Sequence, residues 1–446
     1  MTAPLDAASH ARILADVRAR VRALQALRPV QPLDVRALAR DVVVLGSSSR
    51  GGSTVVAELL RQVPGTLHLR AELNPFLALD GRVFPASGTG SDALSAVPPE
   101  SLAALGHDLA WEIGSPAAGW ADEAEVWQFA IDLAVRLSLQ WPLSVFTAGE
   151  VHAALREVRD VSAFADPARF QAHFLRALAP AHPEIDPGYY DIGRDVLAAV
   201  FPGRPAPVGP PGPLLLEEPP FVCIRPWTLA SAEALATQPL VVKTPSNAYR
   251  LPFLRALFPA AELRLLHLVR NVAASVNGLV DGWRYPGFWS HHVGARDGSC
   301  AEVRPGLGRA LDGTGGWWKF DLPPGWEAYR DAPLVDLCAF QWRSAHAHVL
   351  AEADAHPEMR RLRVRFEDIL APGAARLPAF AALSDGLRTP VDPALVDLLP
   401  PVMATSRPRQ RRWCERAPEL ERVLADPRNL EIMERLGYAR DPATWT

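Results

Sequence analysis

Nine consecutive residues, Gly46-Ser47-Ser48-Ser49-Arg50-Gly51-Gly52-Ser53-Thr54, bring together glycines, small hydroxyls and one cation. Residues of these types can turn successive backbone N–H groups and hydroxyls onto a single anion, with Arg50 adding charge, so the chemistry they serve is phosphate or sulfate binding. The spacing is that of a Walker A loop, G-x4-G-K-[ST], except that Gly52 stands where the lysine belongs. In a nucleoside triphosphatase that lysine reaches the terminal phosphates and the adjacent hydroxyl holds Mg2+. Its absence argues against phosphoryl transfer. A Gly/Ser turn that binds nothing has the same composition, so the surrounding elements have to decide.

A loop of this kind needs a strand before it and a helix after it. Asp41-Val-Val-Val-Leu45 is a short buried-strand run, and Val55, Val56, Leu59 and Leu60 make one apolar helix face that stops near Pro64-Gly65. A second strand follows at 67–69, so the unit opens a parallel α/β sheet. The sheet resumes with a strand at 240–242, a helix at 251–257, a strand at 263–269 and a helix at 271–280. A long helix at 334–353 and a strand at 362–366 come later.

The expected fold class is therefore α/β, a central parallel sheet with flanking helices and a large helical insertion. Six segments follow from this reading: an N-terminal helix in 1–38, the start of the core with its anion loop in 39–79, and a helical insertion or lid in 80–238. Next are the second part of the core in 239–280, a Gly/Trp-rich lid over the acceptor in 281–335, and the C-terminal core in 336–446. Helical spacing at Ile13, Val17, Val21 and Leu24 carries the first segment, and Trp111, Trp120, Trp127 and Trp141 are expected in the core of the insertion.

Half of the 446 residues are apolar, enough for a sizeable core, and the formal charge of -4 offers no basic face for nucleic acid or an anionic membrane. Four scattered cysteines suit a reducing cytoplasm and form neither a disulfide framework nor a zinc site. No stretch reaches the length and apolarity of a membrane span or a signal peptide, so a soluble protein is expected. Lys243 and Lys319 are the only lysines among 46 basic residues, which singles them out for chemistry. Oligomeric state cannot be read from the sequence.

Four segments together resemble the family of sulfotransferases that depend on 3'-phosphoadenosine 5'-phosphosulfate (PAPS). The first is the loop itself, with hydroxyls and one cation before Gly-Gly-Ser-Thr, which is similar to the family's 5'-phosphosulfate loop. The second is Val241-Val-Lys243-Thr-Pro245, leading to Leu263-Arg-Leu-Leu-His-Leu-Val-Arg270. The third is Arg363-Val-Arg365-Phe-Glu367-Asp368, and the fourth is the basic run Ser406-Arg-Pro-Arg409-Gln-Arg411-Arg412-Trp413. They span 42–413 and cover the donor side of the chemistry, leaving 80–235 and 281–335 unexplained.

The resemblance implies a nucleotide-kinase-like fold, PAPS as co-substrate, no metal, and transfer of a sulfuryl group to a hydroxyl or amine. The acceptor would be a small molecule or a carrier-bound chain, and bacterial natural-product enzymes are the branch suggested by the run from Arg270 to Trp283. Donor contacts are implied for Ser48, Ser49, Arg50, Gly51, Gly52, Ser53 and Thr54, for Arg270 on the 3'-phosphate, and for Arg409, Arg411 and Arg412 in a closing loop. The family's second 3'-phosphate residue, a serine, falls at Gly278 here, with Ser275 or Asn277 as substitutes. Arg50 and Lys243 are expected on the leaving group. Glu72 is the expected base, with His107 and His291 (and its neighbour His292) as alternatives.

Overall fold

Val42, Val43, Val44 and Leu45 are all buried, as a strand covered on both faces requires, and they form the centre of the sheet in the computed structural model. The structure describes residues 5–207, 209–293, 317–399, 402–403, 405 and 409–445. The strands are β1 (Asp41–Gly46), β2 (Leu67–Leu69), β3 (Ile113–Pro116), β4 (Trp227–Leu229), β5 (Leu240–Lys243), β6 (Glu262–Val269), β7 (His291–His292), β8 (Trp317–Trp318) and β9 (Arg361–Arg365). Seven of them make one sheet in the order β4-β3-β2-β5-β1-β6-β9. Within it β2, β5, β1, β6 and β9 run parallel, while β3 is antiparallel to both of its neighbours. The expected α/β class with a central, largely parallel sheet and flanking helices is what the chain adopts.

The chain leaves β1 for β2 on one side, and the next crossover, β5 to β6, passes to the other side of β1. Connections therefore diverge around β1, and the carboxyl ends of β1, β5 and β6 border the crevice where open parallel sheets take ligands. The loop of interest hangs from that end of β1.

One sheet face, with Val42, Val44, Leu240, Val242 and Leu265, shares a single apolar core with Phe129, Trp141, Phe170 and Phe174 of segment 80–238. That segment is largely helical, but it stands as a wall of the core, and it adds β3 and β4 to the sheet edge. A buried ionic network reinforces the wall. Arg28 and Arg70 both pair with Asp132, and Arg136 bridges Glu112 (2.6 Å) and Glu217 (3.2 Å). Trp111 and Trp141 are buried there, Trp120 and Trp127 partly so.

The Trp-rich excursion is no solvated loop where it is described: Trp283, Trp289, Trp318 and Trp326 are fully buried. β7 and β8 pair as a two-stranded ribbon. Lys319 pins it by donating to the Tyr285 carbonyl and lying 4.7 Å from the Trp289 ring centre, and burial pulls its ammonium down to about 7. Gly315 and Gly316, also expected in this lid, fall outside the described residues. Among the described residues no helix is long and apolar enough to cross a membrane.

Candidate anion-binding and transfer site

β1 delivers the loop beside the ends of its neighbours, with Leu45 in register with Lys243 and Gly46 with His267. The turn closes through Gly51 N–H to the Ser48 carbonyl (3.0 Å), Arg50 has φ 59, and Gly52 has φ 97 as the residue capping helix Ser53–Leu60. The backbone conformation at Gly52 is one that L residues avoid. A Cβ there would also lie 2.3 Å from Phe366 Cδ2, and one at Gly51 would lie 2.8 Å from the Ser48 carbonyl oxygen. The lysine of a Walker loop therefore has no room at position 52.

The loop's hydroxyls are buried: Ser48 Oγ and Ser49 Oγ have no hydrogen-bond partner of ordinary geometry among the described residues, and neither does Ser275 Oγ. Buried donors left unpaired are costly unless a ligand satisfies them. Ser53 is buried and Thr54 half-buried in the first turn of the helix, the positive end of its dipole.

Guanidinium groups converge on the same place. Arg270 follows β6 and donates to the Arg50 carbonyl (3.1 Å), its Nε is buried without a partner, and its plane lies 5.1 Å from the Phe366 ring centre. Arg50 reaches out of the loop to the Met403 carbonyl (2.9 Å) and Thr405 Oγ1 (3.3 Å). Burial, with Arg270 and Arg412 nearby, brings its pKa down to about 10, so it is cationic at neutral pH. Burial also lowers Arg270, and Arg412 adds to that lowering. Arg412 itself is held by Asp281, which takes Arg416 as well (2.9 Å). Three mutually repelling cations beside unpaired hydroxyls and backbone donors fit a polyanion.

The other members of the basic run are turned elsewhere. Arg409 pairs with Glu415 where both are exposed, and Arg411, at φ 51, lies 5.8 Å from the Trp413 ring centre. Ser406, Arg407 and Pro408 fall outside the described residues.

Gly278 packs on the loop, since a Cβ there would touch Arg50 Cβ at an ordinary 3.5 Å. Ser275 lies one turn earlier on the same face of helix Val272–Arg284. Asn277 points to the C-terminal segment, where its Oδ1 accepts from Arg416 (2.6 Å), so of the two substitutes for the missing serine only Ser275 is left unengaged.

On the far side of the loop, Lys243 ends β5 and forms an ion pair with Glu72, which follows β2. Behind them is a second carboxyl cluster. His291 Nε2 lies 3.5 Å from Asp92, and burial alone would lower the imidazole, but Asp92 and Glu218 lift it above its ordinary value. Asp92 accepts from Ser246 (2.7 Å), the Leu322 N–H (3.0 Å) and Arg250 (3.2 Å). Burial would raise its carboxyl, yet His291 and Arg250 hold it well below the usual carboxylate range. Glu218 accepts from Ser290 Oγ (2.8 Å) and is pushed up to about 7 by burial, with Asp92 and Glu72 adding to the rise.

His107 is not brought to this region. It occupies the last turn of helix Pro99–Leu109 beside Arg22 and the Trp111 ring, and burial and Arg22 lower it. His292 packs edge-on against Trp317. Asp92, Glu218 and Asp281 lie in irregular or helical stretches with no motif, and no local signal in the sequence marks them.

No protein-family model matches the chain, and no curated protein matches it in sequence. Among solved structures it is similar to the sulfotransferase domain from the curacin biosynthetic pathway, at 14% identity over 90% of this chain and 99% of that one, with a TM-score of 0.31. A likeness at that score adds nothing to the geometry, on which the functional reading has to rest.

Proposed function

We propose that the chain is a sulfotransferase that uses PAPS and passes its sulfuryl group to a hydroxyl or amine of a small-molecule or carrier-bound acceptor. The observation that carries this reading is the loop: Arg50, Arg270 and the unpaired hydroxyls of Ser48 and Ser275 gather on it, while Phe366 closes the position a triphosphatase lysine would need. Of these residues, Ser48, Arg50, Arg270 and Phe366 fall in the sequence segments that resemble the PAPS-dependent family.

Bound PAPS would supply the activated sulfuryl group, and the chain's own residues hold, orient and move protons. Loop N–H groups, Ser48, Ser49 and Arg50 would hold the 5' end, and Arg270 with Ser275 would hold the 3'-phosphate. Glu72 takes the proton of the acceptor nucleophile. Lys243, already at the Glu72 carboxylate, would turn its positive charge to the leaving oxygen. The buried tryptophans behind the β7–β8 ribbon exclude water from the crevice.

Adenosine 3',5'-bisphosphate should raise the melting temperature without Mg2+, and ATP with Mg2+ should not. The reverse pattern would return the chain to the alternative, a nucleotide-binding module or kinase on a loop without its lysine.

A further inference from the structure

Glu72 and Lys243 meet where the sheet no longer sets their distance. The parallel ladder between β2 and β5 ends at the His68–Val241 pair, so Lys243 lies two residues beyond it and Glu72 four. Lys243 is still held by β1, opposite Leu45, but Glu72 has left its strand. Transfer chemistry tolerates little freedom there, because a misplacement of about 1 Å can cost about 10²-fold in rate.

The segments behind the pair supply the missing constraint. Lys243 runs into the short turn Pro245–Tyr249, which the Asn247 amide ties to the Val242 carbonyl (3.1 Å). Two residues of this stretch, Ser246 and Arg250, reach Asp92. Ser246 Oγ donates to Asp92 Oδ2 (2.7 Å), and Arg250 grips Asp92 at two points, Nε on its backbone carbonyl (2.9 Å) and Nη2 on Oδ1 (3.2 Å). A planar fork held at two corners has its third direction fixed. Arg250 Nη1 accordingly donates to Asn74 Oδ1, and Asn74 opens helix Asn74–Leu79 only two residues after Glu72. Asp92 is itself anchored by a reciprocal pair with Leu322, its N–H on the Leu322 carbonyl (2.8 Å) and the Leu322 N–H on its Oδ2 (3.0 Å), and His291 of β7 lies 3.5 Å from Oδ1. Asn74, Asp92, Ser246 and Arg250 are all buried, where a low dielectric strengthens each of these bonds.

Resting on the reading of Glu72 and Lys243 as base and leaving-group cation, we infer that Asp92 is a positioning residue for that pair: through Ser246 it holds the segment that carries Lys243, and through Arg250 and Asn74 the segment that carries Glu72. Its task is to fix the distance between two groups on separate strands. A carboxylate suits the task because Arg250 is buried beside it and needs a counter-charge.

The two lysines make this measurable. A full chain carrying carbon-13 at the lysine ε-carbon gives one NMR signal for Lys243 and one for Lys319, and Lys243→Met identifies the first. Glu72→Gln sets the position of that signal with the ion pair gone. Asp92→Asn is the direct variant and should carry the signal most of the way there, but it leaves the Arg250 charge unpaired and threatens folding. Asn74→Ala and Ser246→Ala each cut one arm and leave Arg250 on Asp92. Both should displace the Lys243 signal part of the way toward its position in Glu72→Gln, and the double variant should displace it further than either. Ser138→Ala, which removes a buried hydroxyl from helix Glu123–Gln140, is the control and should leave the signal in place. An unmoved signal in both arm variants overturns the proposal. So does an equal displacement in the control, which would be general loosening. The measurement needs no bound donor, so failure of adenosine 3',5'-bisphosphate to stabilise wild type overturns the reading of the loop and is distinguishable from failure of the Asp92 coupling.

Discussion

The Lys243 ammonium donates to the Glu72 carboxylate across the carboxyl ends of β5 and β2, joining residues 171 positions apart. The expected base and the expected leaving-group cation are therefore one ion pair. On the proposed mechanism the two would act in sequence, Glu72 becoming available to the acceptor when Lys243 turns to the leaving oxygen.

Glu72→Gln and Lys243→Met should each lower turnover by about 10²–10⁴-fold, and the double variant should be little worse than either, because groups that act as a unit are not additive. Bisphosphate-induced stabilisation should survive in Glu72→Gln. Full turnover in that variant would hand the base to His291, the one expected histidine that lies with the carboxyl cluster.

Ser275 separates a binding role from a structural one. Its hydroxyl is buried and unpaired, so Ser275→Ala removes a desolvation cost and should leave the stability of the ligand-free chain unchanged or slightly raised. Bisphosphate affinity should fall about tenfold, the worth of one hydrogen bond to a charged group. A loss of stability with unchanged affinity would mean the hydroxyl serves the helix alone. Thermal melts with and without ligand distinguish the two.

The packing at Gly52 makes a different kind of prediction. Gly52→Ala meets both the positive φ and the Phe366 ring, whereas Gly65→Ala meets a positive φ of 77 with nothing within 4 Å. Gly65→Ala should cost about 1 kcal/mol and Gly52→Ala at least about 2 kcal/mol more. Equal losses in urea unfolding would remove the steric explanation for the missing lysine.

These sites also show what a sequence makes legible. The loop, β1, β5 and β6 could be read because each is a contiguous run with its own periodicity or composition, and the helix at 251–257 and the strand at 67–69 have the bounds their apolar residues suggest. β3 and β4 could not, since Ile113-Gly-Ser-Pro116 and Trp227-Thr-Leu229 are too short to show a period; pairing at the existing sheet edge makes them strands. Phe366 closing on Gly52 and Asp281 holding Arg412 are pairings between distant segments, in which the motif marks Gly52 and Arg412 but nothing local marks what meets them. His107 was misplaced for the same reason: distance along the chain from Arg50 says little once 80–238 folds as a wall of the core.

Glu218 yields the last prediction, and its sign follows from proton linkage. Its folded-state pKa of about 7 lies above the ordinary 4.5, so between those values the folded chain holds a proton that the unfolded chain has released. Stability is therefore fullest at about pH 4.5 and below, falls as pH rises toward 7, and has lost the whole contribution above it. Glu218→Gln keeps an oxygen for the Ser290 hydroxyl and removes the titration. The variant should match wild type near pH 4.5 and exceed it by about 2 kcal/mol at pH 8, read from urea midpoints at the two values. A gap that is the same at both would mean that Glu218 titrates normally. If the gap opens as expected, the chain keeps a destabilising carboxyl beside Glu72 and His291, which is the trade expected of a group retained for the crevice and not for the fold.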